Sequence, residues 1–145
     1  MLSKPHIAFG FFSGAVVVSG YQMSDGFIVN AANISVAISV SLLSSLAPDI
    51  DAPSSPIAKA LPFISKPIQR RWPHRTLLHS ILGAIVSSAT TYSVAKFFAG
   101  ILPIPDRVPF MVFTFFLAGY TGHLIVDSLT ITGVKWLWPF QRAFA

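Results

Sequence analysis

The chain has 145 residues and a mass of 15.7 kDa, with 53 % apolar residues, 10 % charged residues, a net charge of +5 and a mean hydropathy of +0.67. Soluble domains carry about 25 % charged residues, so this composition predicts an integral membrane protein and excludes disordered, collagen-like and coiled-coil chains. The absence of cysteine excludes thiol catalysis, cysteine-zinc sites and disulfide bonds. The length suits one domain, and we expect residues 1–145 to form a single membrane-embedded unit.

Four apolar stretches predict an all-α fold, an integral membrane bundle of about four transmembrane helices. At about 1.5 Å of rise per residue, the last three stretches, with 21, 25 and 22 residues, are each long enough to cross a hydrocarbon core of about 30 Å. The first has only 15 residues and is expected to be a retained helix that is short or partly re-entrant. The four stretches are Ile7–Tyr21, Phe27–Ala47, Thr76–Gly100 and Val108–Leu129.

The connections differ in character. Ser24–Gly26 and Leu102–Asp106 are typical of short turns. Pro48–Pro73 contains six prolines, too many for one continuous helix, and its apolar residues alternate with basic ones, so we expect short interfacial segments along the membrane surface. The second stretch is rich in serine and asparagine, which favour close helix packing, and we expect it at the centre of the bundle.

The distribution of Lys and Arg predicts the orientation in the membrane. If all four stretches cross, one side has eight basic residues and the other has two, so the positive-inside rule places the first side in the cytoplasm of a bacterial inner membrane. Topology and anionic lipid then account for the basic charge, and no nucleic-acid partner is expected. The first side holds Lys4, Lys59, Lys66, Arg70, Arg71, Arg75, Lys135 and Arg142, and the other holds Lys96 and Arg107.

The same topology gathers most of the possible metal ligands on one side. Seven of the nine Asp and His residues fall at the cytoplasmic ends of the helices, and only Asp25 and Asp106 lie at the other ends. Ionisable groups at membrane depth are costly and usually functional, and imidazole with carboxylate suits Zn, Mn or Fe better than Ca. We therefore predict a metal site from His6, Asp49, Asp51, His74, His79, His123 and Asp127.

Each fragment of this set also has a structural explanation. Pro48–Asp51 is typical of a helix end followed by turn-forming aspartates. His74, at a helix start, is typical of a polar cap. His123 and Asp127, four residues apart on one helix face, are equally typical of a hydrogen-bonded core pair.

The third helix is expected to begin near Thr76, directly after Pro73. Arg75 and His79 would then share one helix face, because they are four residues apart. Thr130 is expected to continue the face of His123 and Asp127 and to orient a ligand.

Three segments carry a family resemblance: Leu42–Asp51 (LLSSLAPDID), His74–Ser80 (HRTLLHS) and Gly122–Phe140 (GHLIVDSLTITGVKWLWPF). With these motifs, the sequence resembles the YdjM-like family of inner-membrane-associated metal-dependent hydrolases, which is distantly similar to zinc-dependent phospholipase C and related zinc nucleases. The resemblance implies an all-helical protein with a His/Asp site for two or more divalent metal ions, zinc above all, built from the seven residues named above. This chain lacks the Glu of zinc phospholipase sites.

The function expected from the site and the resemblance is hydrolysis of a phosphoester, in a phospholipid or lipid-linked phosphate, at the cytoplasmic membrane surface. Asp51, Arg75 and Asp127 are the catalytic candidates: Asp49 or Asp51 would bridge metals or act as base, and Arg75 would bind phosphate. His79, His123 and Asp127 are expected to be the rigid ligands. The sequence predicts no particular oligomeric state.

Two other functions fit the same sequence. A non-catalytic membrane adaptor would use a structural metal site and the basic connection to hold a cytoplasmic partner. A metal-ion transporter would also concentrate His and Asp in helices, but it would normally place them near the midplane, with access from both sides.

Overall fold

The computed structural model describes residues 3–22 and 31–140, which form six α-helices and two short 3-10 turns. No strand occurs in these two ranges, so the all-α prediction is confirmed. The predicted turn at Ser24–Gly26 and the start of the second apolar stretch lie outside the described residues. The helices are α1 (Ser3–Gln22), α2 (Ala31–Ser44), α3 (Pro56–Ala60), α4 (Pro62–Arg71), α5 (Ile81–Ala99) and α6 (Arg107–Ser128), and the 3-10 turns are Pro48–Asp51 and Leu77–His79.

Three segments within the described ranges are long and apolar enough to cross a membrane: Asn33–Asp51, Ile81–Ala99 and Arg107–Ser128. α1 is not among them, although it has 20 residues, because the polar residues at its two ends lower its mean hydropathy. Three of the four expected spans are thus supported by length and hydropathy.

α1 is a continuous helix of 20 residues, longer than the 15-residue apolar stretch that predicted it. It runs antiparallel to α6 over its whole length. At one end the ring of His6 stacks on that of His123, and at the other Tyr21 stacks on Phe115. The N-terminal end of α1 therefore lies at the same level as the C-terminal end of α6.

The central helix is α6, because α1, α2 and α5 each pack against it. The expectation that the second helix is central was wrong, since in the described residues α2 packs mainly against α1 and α6. The serines of that stretch do permit close packing: Ser41, Ser44 and Ser45 are fully buried, and the Ser41 hydroxyl donates a 2.8 Å hydrogen bond to the Gly10 carbonyl.

Gly119 marks the closest approach of α2 and α6. A Cβ atom there would overlap the Ser41 carbonyl oxygen and the Ser44 hydroxyl. We expect Gly119→Ala to lower the free energy of unfolding by about 1–3 kcal/mol, since backbone and buried side chains must move apart. Thermal unfolding in detergent measures this, with Gly20→Ala in α1 as the matched control because no atom lies within 4 Å of a Cβ there. Equal unfolding temperatures for the two variants would contradict the close approach.

The segment before α5 is irregular. α5 begins at Ile81 and not near Thr76, because the hydroxyl of Ser80 caps it by accepting a 3.1 Å hydrogen bond from the backbone N–H of Gly83. Arg75 has a φ of 63°, in the left-handed region that residues other than glycine rarely adopt. Arg75 and His79 therefore do not share a helix face, and Thr76 is not the helix cap.

The proline-rich connection forms several short pieces, as its prolines predict. Pro48, Pro56 and Pro62 each stand at the start of a 3-10 turn or helix, where a missing N–H costs nothing. α4 is tied to the 3-10 turn Pro48–Asp51 by Gln69, whose amide donates to the Ile50 carbonyl at 3.4 Å. The connection thereby holds that turn against the end of the bundle.

Candidate metal centre

Three buried side chains face one another where α6 ends and α5 begins. His123 and Asp127 lie four residues apart in the last turns of α6, and His79 ends the 3-10 turn before α5. All three are fully buried. Nε2 of His79 lies 3.3 Å from Nε2 of His123 and 3.3 Å from Oδ2 of Asp127, and Nε2 of His123 lies 3.6 Å from the same oxygen. We call these three atoms the ligand triangle.

The dimensions of the ligand triangle fit a small tetrahedral cation. Ligand atoms about 2.0–2.1 Å from Zn²⁺ in a tetrahedron are about 3.3–3.4 Å apart, close to the three spacings observed. Two nitrogens and one carboxylate oxygen also form a donor set that zinc commonly takes. The spacing of the three atoms is therefore compatible with one bound cation.

The outer nitrogen of His123 is held by a hydrogen bond, whereas that of His79 is buried beside a carboxylate without forming one to any described residue. Nδ1 of His123 donates a hydrogen bond of 2.6 Å to the carbonyl oxygen of Ser45, which leaves the lone pair of Nε2 directed into the triangle. Nδ1 of His79 faces Oδ2 of Asp51 at 3.4 Å. Metal-binding histidines usually have such a carbonyl or carboxylate behind them, because it fixes the ring and the tautomer.

Two carboxylate oxygens at the triangle have no hydrogen-bond donor. Among the described residues, Oδ2 of Asp127 and Oδ1 of Asp49 are both buried and make no hydrogen bond, although Oδ2 of Asp127 lies within ion-pair distance of His79 and His123. Oδ1 of Asp49 lies 3.9 Å from Nε2 of His123 and 4.0 Å from Nε2 of His79, just outside the triangle. A buried, unpaired carboxylate oxygen is costly, and a cation at this position would satisfy both.

His6 extends the cluster beside His123, and His74 extends it beside His79. His6 reaches it from α1, with its ring centroid 4.1 Å from that of His123 and its Nε2 3.6 Å from Oδ1 of Asp127. The side chain of His74 is 32 % exposed, the most accessible of the seven predicted residues. Three overlapping groups have ligand atoms within 4.8 Å of one another: His6, Asp49 and His123; Asp49, His74 and His79; and His79, His123 and Asp127.

Asp51 differs from the other six predicted ligands, because it belongs to none of these groups. Its Oδ1 lies 2.6 Å from Nδ1 of His74, and its Oδ2 accepts a 3.3 Å hydrogen bond from the backbone N–H of Arg75. With His79 as its third neighbour, Asp51 is placed to orient two histidines.

Arg75, the residue expected to bind phosphate, has its guanidinium within hydrogen-bond distance of several groups of the protein. One terminal nitrogen, with two N–H groups, lies within hydrogen-bond distance of three acceptors: the hydroxyls of Thr130, at 3.0 Å, and Thr132, and the carbonyl of Gly133, at 3.1 Å. The other donates to Oδ1 of Asp127 at 3.3 Å. The guanidinium thus joins the segment before α5 to the segment after α6 and fixes the carboxylate of Asp127.

The electrostatics of the cluster favour positive charge. Burial lowers the pKa of His79, but Asp127 and Asp51 more than offset this effect and raise the pKa of His79 to about 9. A metal ion that binds here must displace a proton from this ring, because only a neutral imidazole is a ligand.

Two partners of the site carry no sequence signal. The Ser45 carbonyl behind His123 and the Gly133 carbonyl behind Arg75 are backbone groups that any residue type provides. Gly133 has a φ of 56°, a conformation that glycine adopts readily. The glycine after Thr132 was therefore a sequence signal for a tight turn at this position.

The chain matches the family described as "YdjM inner membrane protein" over residues 1–145. It is 36 % identical to "Inner membrane protein YdjM" of Escherichia coli (strain K12) and to the protein of the same name in Shigella flexneri, over 105 residues that make up 71 % of this chain and 49 % of each relative. It is 32 % identical to "Uncharacterized protein YvsG" of Bacillus subtilis (strain 168) over 94 residues, 65 % of this chain and 51 % of that protein.

This chain therefore spans about half the length of the curated relatives it matches. No solved structure matches it. The names of two relatives and the three apolar helices fit a protein of the bacterial inner membrane. Given the match over the whole chain, the protein belongs to the YdjM family of inner membrane proteins.

Proposed function

We propose that this protein is a metal-dependent hydrolase that cleaves a phosphoester, in a phospholipid or a lipid-linked phosphate, at the cytoplasmic face of the membrane. The observation that supports this most strongly is the ligand triangle of His79, His123 and Asp127, whose three atoms are buried at spacings of 3.3 to 3.6 Å. Zinc suits the set of ligand atoms and their spacing best, and the same atoms would also suit Mn or Fe. The three overlapping groups offer ligands for two or more ions.

When bound, the metal would supply Lewis acidity and lower the pKa of a coordinated water toward about 7. Asp49 is our candidate for the base, because its Oδ1 has no hydrogen-bond donor and lies at the edge of the triangle. A cavity of about 40 Å³ beside Asp49, lined also by Ser54 and Ser55, is large enough for water. Asp51 and Arg75, expected to be catalytic, would instead position His79 and Asp127.

The test is a metal assay combined with a turnover assay on purified protein. We expect tightly bound zinc and release of phosphate or a phosphorylated headgroup from phospholipid in mixed micelles, lost after chelation and restored by zinc. Metal retention without turnover of any phosphoester would favour the adaptor. Metal uptake into proteoliposomes would favour the transporter.

The orientation gives a separate prediction. Since the chain has no cysteine, Ser54→Cys supplies a single label site in the exposed part of the proline-rich connection. We expect an impermeant thiol reagent to label it only after the cells are opened, because that side carries the basic excess. Leu102→Cys, in the exposed turn between α5 and α6, is the matched control and should be labelled in intact cells with a permeable outer membrane. The reverse pattern would place the site on the periplasmic side.

A further inference from the structure

Tyr120 of α6 is a buried residue whose hydroxyl forms a hydrogen bond outside its own helix. Tyr120 is 1 % exposed, and its hydroxyl donates a 2.6 Å hydrogen bond to the backbone carbonyl of Leu78. Leu78 lies in the 3-10 turn Leu77–His79, directly before His79. The hydroxyl therefore joins α6 to the turn that carries one atom of the ligand triangle.

Tyr120 lies on the same face of α6 as the two candidate ligands of that helix. His123 follows it by three residues and Asp127 by seven, and both spacings return to one face of an α-helix. His123 and Asp127 contact the side chain of His79, and the Tyr120 hydroxyl contacts the backbone beside it. Of these three contacts, only that of Tyr120 is made without a candidate ligand atom, so it holds the turn before an ion binds.

The turn is confined from the side of α5 as well. A Cβ atom on Gly83 would overlap the Leu77 carbonyl oxygen and lie 2.9 Å from Cα of Leu78, so the turn lies directly against the backbone of α5. The Leu77 carbonyl also accepts a 2.6 Å hydrogen bond from the hydroxyl of Ser80. The turn is thus enclosed between Gly83 on α5 and Tyr120 on α6.

We propose that Tyr120 is a positioning residue for the metal centre, and that it fixes the distance between His79 and the two ligands on α6 through the Leu78 carbonyl. This proposal rests on the metal centre of the proposed function, but not on turnover. Leu78 is bonded to His79, so a shift of its carbonyl moves the backbone of His79 with it. Nε2 of His79 lies 3.3 Å from Nε2 of His123 and from Oδ2 of Asp127, as a tetrahedral ion requires, and loss of the hydrogen bond would let these distances widen.

Tyr120→Phe tests the hydroxyl alone, because the aromatic ring, which packs with Ala84 of α5, stays in place. In the whole protein in detergent, we expect the affinity for zinc, measured by competition with a chelator, to fall by about 10-fold. This is the lower end of the effect typical of groups one step behind a metal ligand.

The matched control is Tyr21→Phe, which removes the same hydroxyl at the other end of the bundle. The Tyr21 hydroxyl lies 3.1 Å from Oγ1 of Thr114 on α6, so it also connects another segment to that helix. We expect Tyr21→Phe to keep the zinc affinity of the native chain, even if both variants unfold at a lower temperature.

A spectroscopic measurement separates positioning from a general loss of stability. The visible spectrum of Co²⁺ bound in place of zinc depends on the number and geometry of its ligands. We expect an altered Co²⁺ spectrum in Tyr120→Phe and the native spectrum in Tyr21→Phe. Gly83→Ala, which displaces the turn from the side of α5, should also alter the spectrum, whereas Gly20→Ala should not.

Unchanged zinc affinity and an unchanged Co²⁺ spectrum in Tyr120→Phe would overturn the proposal. Equal changes in both tyrosine variants would also overturn it, because the hydroxyl would then act through stability alone. A loss of zinc affinity confined to Tyr120→Phe, in a protein that turns over no phosphoester, would support the positioning role and reject only the hydrolase function. Zinc-dependent turnover with an affinity that does not depend on the hydroxyl would reject only the positioning role.

Discussion

Replacing Asp127 with alanine is expected to remove most of the bound metal. Oδ2 of Asp127 is one vertex of the ligand triangle, and Oδ1 receives a hydrogen bond from Arg75 and lies close to His6. The substitution removes a candidate ligand and leaves the half-buried guanidinium of Arg75 without its carboxylate partner. Changes one shell beyond the metal typically cost about 10–100-fold in affinity or activity, so loss of a ligand should cost more. Metal per chain, measured by elemental analysis, gives the result.

The matched control is Asp106→Ala. Asp106 is the same residue type at the other end of the bundle, where its side chain is exposed and pairs with Lys96 at 3.3 Å. Exposed ion pairs contribute little to stability, so we expect this variant to keep its metal and its unfolding temperature.

Coupling between ligands separates a metal site from a set of independent hydrogen bonds. If one ion is held by both His123 and Asp127, the double variant should lose little more metal affinity than either single one. A purely structural role predicts the contrary: each substitution would cost about 1–2 kcal/mol of stability, independently, with metal content unchanged. Full metal retention in all three variants would defeat the metal interpretation.

The sequence was sufficient to predict that side chains distant along the chain gather at one end of the bundle, because this prediction requires only the order and direction of the helices. Once the apolar stretches are taken as antiparallel helices, His6 at the start of α1 and His123 near the end of α6 must share a level. The six prolines likewise excluded a continuous helix before α5, and the structure has short pieces there.

The positions of individual atoms could not be predicted in this way. The start of α5 depends on whether Ser80 or Thr76 acts as the cap, and local sequence allows either. The position of Arg75 follows from its positive φ and from acceptors more than fifty residues away, which the expected helix could not reveal. The sequence therefore predicted a phosphate-binding role for Arg75 but gave no sign of its contact with Asp127.

Replacing Asp51 should give the second large effect on metal binding. It should weaken the affinity without removing one of the three atoms of the ligand triangle, unlike the replacement of Asp127. Because Asp51 contacts His74 and His79 through their Nδ1 atoms, Asp51→Asn removes a negative charge behind the histidines but leaves the triangle's own three atoms in place. We expect metal affinity to fall by about 10–100-fold, with full metal loading restored at high zinc concentration. Competition with a chelator of known affinity measures the change.

His74→Gln distinguishes the two contacts of Asp51. The hydrogen bond to His74, at 2.6 Å, is the shorter one, but His74 is partly exposed, whereas His79 belongs to the ligand triangle. If Asp51 acts on the metal by orienting His79, then His74→Gln should weaken zinc binding less than Asp51→Asn does. If His74 is itself the more important ligand, the order is reversed, and the site must be centred on Asp49, His74 and His79 instead. The order of these two affinities therefore shows which of the overlapping groups holds the first ion.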